Sequence, residues 1–150
     1  MHAVPAVMVA FLLLAGVARS QEPRLTDEQV ARVRVLALDN ISRALCGAAP
    51  CAPASAAEQT SPPLTLDETR RVMARGMISE AGEQCGLDWR MTNFLPMMTY
   101  WRHIMKKDER QLALIGLVHG IAQGFARSDT AMVCTPQMRE SIARQLTFEP

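Results

Sequence analysis

Apolar residues along this chain recur at helical spacing, and cap signals punctuate them. Thr26-Asp27-Glu28-Gln29 has the form of a capping box, and Val30, Val33, Ala37, Ile41 and Leu45 follow on one face. They predict a first helix that stops at Cys46-Gly47. Residues 48–64 break the pattern: rich in Ala, Ser and Pro, they predict a loop, the most mobile internal segment. Thr65-Leu66-Asp67-Glu68 is a second capping box. The helix it opens turns Val72, Met73, Met77 and Ala81 inward, reaches Cys85 and stops at Gly86. Its other side, Arg70, Arg71, Arg75, Glu80 and Glu83, reads as solvated surface. After a turn at residues 88–91, Phe94, Met97, Met98, Trp101, Ile104 and Met105 give a third apolar face. Thr92 or Asn93 is the cap, and Pro96 falls in the first turn, where proline is tolerated. Residues 128–133 form a connection. Thr135-Pro136 then starts a last helix with Met138, Ile142 and Leu146 inward.

Residues 112–125, LALIGLVHGIAQGF, stand apart. The first half is apolar on every face, so it predicts a helix with neighbours on several sides. Leu114, Val118, Ile121 and Phe125 keep helical spacing in the second half, with His119 and Gln123 on another face. Gly116, Gly120 and Gly124 recur every four residues and drift only ~40° per step. Three such glycines cost ~1 kcal/mol each relative to alanine, which predicts a groove where another backbone packs closely. The run is too short to span a bilayer. Lys106-Lys107 followed by Asp108-Glu109 complements two helix dipoles and predicts a tight corner in front of this helix.

The N-terminus adds an address. Residues 4–17 are apolar, and Ala18-Arg19-Ser20 offers small residues before a cut, so residues 1–20 are expected to be a signal peptide removed after Ser20. What remains, residues 21–150, is a single helical domain with no stable membrane span. With 16 Lys and Arg, one of them Arg19, against 15 Asp and Glu, that domain is formally neutral. No Lys/Arg block stands alone, which argues against a nucleic-acid surface. All four cysteines, Cys46, Cys51, Cys85 and Cys134, lie beyond the cut and imply disulfides in an oxidising compartment, periplasmic or secreted. Of three pairings, Cys46 with Cys51 and Cys85 with Cys134 is favoured. The first closes a short loop through Gly47 and Pro50, and the second ties two helices across the central one.

Chemistry is sparse. There is no His-Glu-x-x-His pattern, phosphate loop or Ser/His/Asp arrangement, and the carboxylate pairs Asp67/Glu68 and Asp108/Glu109 fall at helix starts. The expectation is a protein that is not an enzyme and carries no cofactor or metal. The densest basic and aromatic group comprises Trp89, Arg90, Arg102, His103, Lys106 and Lys107, a candidate partner surface. The alternative is a metal- or small-ligand-binding module that uses the Met-rich helix faces and His119, since clustered thioethers suit Cu(I). On the apolar faces those methionines also serve as ordinary packing.

Cys85, an apolar glycine-bearing helix, a loop and then Cys134-Thr135-Pro136 form a further pattern. Over roughly residues 72–146 it resembles small helical periplasmic proteins, the HdeA-like acid-stress chaperones and the Tai-type immunity proteins of type VI secretion. The resemblance implies an all-α fold with one bridge, Cys85 to Cys134, across the central helix, and a protein that acts by binding another protein. The first helix, the second cysteine pair and the long helix of residues 93–107 depart from that pattern. The sequence therefore predicts an all-α, disulfide-stabilised bundle of about five helices, exported, with another protein as its partner.

Overall fold

A computed structural model describes residues 25–127 and 132–150. The predicted signal peptide and most of the 128–133 connection lie outside the described residues. The order is α1 (Asp27–Asp39), a short hairpin of β1 (Leu45–Cys46) and β2 (Ala49–Pro50), α2 (Ala56–Thr60) and α3 (Leu66–Gln84). A π-helical turn (Arg90–Phe94) then leads into α4 (Leu95–His103), followed by α5 (Glu109–Ala126) and α6 (Pro136–Leu146). Capping boxes open α1, α2, α3 and α5, from Thr26, Ser55, Thr65 and Asp108. Cys46–Cys51 and Cys85–Cys134 are both closed, so the favoured pairing is the one that forms.

Several boundaries differ from the sequence expectation. The first helix ends at Asp39, and the Asn40 side chain bonds back to the Leu36 carbonyl. Ile41 stays buried, but Leu45 has moved into the hairpin and is 62% exposed. The 48–64 segment is strapped to the bundle. Arg110 Nη1 donates to the Ala52 carbonyl at 2.8 Å, its guanidinium pairs with Glu58, and Leu64 is buried. The Arg110 bond holds the Glu58 carboxyl down at about 2. Helical backbone already begins at Trp89, because Asp88 Oδ1 accepts from Met91 N at 3.1 Å and so caps the chain earlier than Thr92 or Asn93 would. Asn93 is fully buried instead.

α5 runs through the centre and packs most extensively on α3, with α1 and α4 alongside. Val30, Val33, Ala37, Leu38, Val72, Met97, Trp101, Leu112, Ile115 and Val118 make one core. A second cluster of Cys85, Ile142 and Leu146 seats α6 at the far end of α3. At 25 cal/mol per Å², each such fully buried aliphatic side chain contributes about 2 kcal/mol.

The glycine expectation is overturned. Among the described residues a Cβ on Gly116, Gly120 or Gly124 would meet nothing within 4 Å, so these three leave the backbone of α5 open along one side. Close helix approach occurs elsewhere, at Gly76 of α3. A Cβ there would lie 2.4 Å from the His119 carbonyl oxygen and 2.9 Å from the Ala122 Cβ. The periodic glycines share a face, as the spacing requires, but none of the described residues covers it.

Candidate functional site

Where α3, α5 and the π-helical turn meet, polar groups are buried among apolar ones. Ser79 and Asn93 are fully buried, and His119 is 2% exposed. Asn93 Nδ2 donates to Ser79 Oγ at 2.7 Å and to the Arg75 carbonyl at 2.8 Å. Ser79 Oγ lies 3.0 Å from His119 Nε2. Oγ accepts from Asn93 and keeps a proton and a second lone pair, so it donates to Nε2 or accepts from it according to the His119 tautomer. Burial and the nearby Arg75 charge push His119 down from 6.5 to about 4. Trp89 stacks on the imidazole at 5.8 Å between ring centroids, and Phe94 packs at 4.8 Å.

Arg75 carries the network outward. Its Nε donates to Asn93 Oδ1, and its two terminal nitrogens donate to the carbonyls of Gln145 and Leu146 at 3.0 and 2.7 Å. Its guanidinium lies 5.4 Å from the Phe148 ring centroid. One side chain thus joins α3, the π-helical turn, the end of α6 and the strap beyond it. A buried carboxylate stands further along α3. Glu80 is 2% exposed, paired with Arg127 at 3.1 Å and bonded by Gln84 at 3.0 Å. Burial works to raise the Glu80 carboxyl, but bonds from Arg127 and Gln84 outweigh it and leave it below the ordinary value.

Arg75 and Glu80 were therefore misplaced by the sequence, which put both on a solvated face. Polar residues at the edge of an apolar face cannot be sorted by periodicity when another element covers that edge. The useful signals were the small residues Gly76, Ser79 and Gly82, which recur every three residues on α3 and admit neighbours closely.

The candidate partner surface does not assemble. Trp89 turns inward onto His119. Lys107 pairs with Glu68 at 2.6 Å in a half-buried contact, and Arg102 pairs with Glu109. Arg90 stands at the opposite end of the π–α4 segment from the exposed His103 and Lys106. The six residues are split because opposite charges from α3 and α5 neutralise two of them and the core claims a third.

The methionines are divided as well. Met73 and Met97 are core residues, whereas Met77, Met91, Met105 and Met138 are exposed on four different segments. Among the described residues no group of three or more His, Cys, Asp or Glu is placed to hold a metal ion, and no helix is long and apolar enough to cross a membrane.

What lies open is the outer side of α5. A cleft of about 360 Å³ runs between the hairpin, α4 and α5, lined by Leu45, Gly47, Met98, Arg102, Ala113 and Gly116. Gly120 and Gly124, both exposed, continue that side toward the end of the helix. The backbone there is reachable because no side chain among the described residues screens it.

A scan of protein-family models and searches of curated proteins and solved structures returned no match.

Proposed function

We propose that this chain is an exported periplasmic protein that works without catalysis, by binding another protein across the open side of α5. The observation behind it is the glycine face, which none of the described residues covers, bordered at one end by exposed Leu45. Glycine in a helix interior costs about 1 kcal/mol, and nothing among the described residues uses the room these three provide. A partner helix or strand that approaches the bare backbone would use it. The two disulfides fit an oxidising compartment and would keep such a pre-formed surface rigid. The expected partner presents an apolar segment with few charges, since Ala113, Gly116, Gly120 and Gly124 offer no charge to pair. This is the immunity-type version of the proposal. The stress-chaperone version, in which acid opens the core, has a separate support in the burial of His119.

The test places a photo-crosslinking residue at Gly120 in the exported protein of its native cell. A discrete adduct is expected, and it should vanish when Gly116→Arg is added, while the melting temperature changes little. Absence of any adduct, or an adduct unaffected by Gly116→Arg, rules the open side out as the binding surface.

A further inference from the structure

We propose that the cleft between the start of α1 and the end of α5 binds a long-chain carboxylate of the fatty-acid type. The site is separate from the glycine face and stands whatever protein the chain binds. Ala122 and Ala126 line it, each two residues after a glycine of that face and so about 200° round α5 from it.

The cleft encloses about 540 Å³, a volume in the range of small-molecule sites. Val33, Met73 and Ala122 are buried and make an apolar floor, one residue from each of α1, α3 and α5. Phe125, 69% exposed, and Met77, 38% exposed, stand at the rim. An aliphatic chain laid along the floor covers both. Met73 and Met77 are one turn apart on α3. Their unbranched thioethers adjust to a flexible chain, where β-branched side chains would hold one shape.

The polar groups decide what the other end of the ligand is. Those in the lining are Gln29 and Arg32, one turn apart on α1. Gln29 Oε1 accepts from Thr26 N at 2.8 Å in the capping box, so the amide N–H groups are what this side chain offers a ligand. The Arg32 guanidinium has donors alone. Its pairing with Glu28, at 3.5 Å, is between two largely exposed side chains and yields readily to another carboxylate. Among the described residues no carboxylate lines the cleft. Further along α3, Glu80 and Glu83 are paired with Arg127. An apolar floor with two neighbouring donors at one edge matches a ligand that is apolar along its length and anionic at one end. An extended peptide fits less well, since its N–H donors would face an apolar floor.

The test uses the disulfide-intact protein labelled with ¹³C at the methionine methyl groups. It is titrated with decanoate and with dodecanoate, each below its micelle-forming concentration. The Met73 and Met77 signals are expected to shift saturably, while Met105 and Met138, on other segments, stay in place. Dodecanoate should bind about tenfold more tightly than decanoate, the effect of two further buried methylenes. Dodecyltrimethylammonium, with the same chain and the opposite charge, should bind more weakly than dodecanoate. Arg32→Gln should erase that preference, and Met77→Asp should abolish dodecanoate binding. Both side chains are exposed, so the melting temperature should hold in each variant. Four results overturn the proposal: no saturable shift at Met73 and Met77, shifts that spread equally to Met105 and Met138, equal affinity for the two chain lengths, or equal affinity for the cation. Each is read on the unmodified chain and needs no variant to fold.

Discussion

On the side of α5 that meets α3, every position is committed. His119 and Ala122 lie against Gly76, where there is no room for even one methyl group, and the His119 ring is enclosed by Ser79, Trp89 and Phe94. On the other side Gly116, Gly120 and Gly124 face open space. The two sides use the same device, the missing Cβ, in opposite ways. At Gly76 it lets two helices of one fold approach until backbone meets backbone. At Gly120 it leaves a helix bare. A glycine in a helix marks where an approach is permitted and does not say whether the approaching chain belongs to the same fold.

The largest test of this contrast is acid. An unfolded histidine takes up its proton near 6.5, whereas His119 in the fold does so only at about 4. Between those values the unfolded chain binds more protons, so stability is fully present above about 6.5 and is lost as the pH falls through about 4. The expected loss is about 3 kcal/mol at 1.36 kcal/mol per pH unit. Urea titrations at pH 7 and pH 4 would measure it, and His119→Gln should flatten the difference. Below that range Glu58, held down by Arg110, and Glu80, held down by Arg127 against its burial, add losses as they protonate.

Gly76→Ala comes next. The new Cβ would force α3 and α5 apart, with an expected cost of about 2 kcal/mol despite alanine's better helix propensity. A thermal melt of the variant would show it. An unchanged melting temperature would mean that the helix pair is looser than described.

Ser79→Ala removes the hydroxyl that links Asn93 to His119. Two buried polar groups lose a partner, and the expected cost is about 1–2 kcal/mol. The His119 titration, read by NMR, should move in the same variant, which a packing change alone would not produce.

Gly120→Ala should have the smallest effect and the opposite sign. With nothing to strike, the methyl group should stabilise the isolated protein by up to about 1 kcal/mol. Destabilisation instead would show that another chain covers the open side in solution.

The contrast also separates what was legible beforehand. The caps at Thr26, Thr65 and Asp108 were readable because each needs only the residues three places on. The apolar faces of Val30, Val72 and Met97 were readable for a similar reason: helical period alone puts them with their neighbours. The candidate site was not readable. Ser79 and Asn93 have no local signature, since what defines them is a partner about 14 residues away or more, on another element. Arg75 looked like surface because its side chain is charged, and only the chain end arriving over it made it a clasp.

The sequence by itself therefore determined the helical class, most helix starts and the favoured cysteine pairing, because caps, period and short loops act over a few residues. Only the tertiary structure decided which side of α5 is covered, which charges are neutralised and that His119 is sealed beside Arg75. Burial belongs to pairs of elements, and no single stretch of chain carries that information. The periodic glycines are the plainest case: their alignment is a property of one helix, but whether they are packed or bare depends on where all the other helices went.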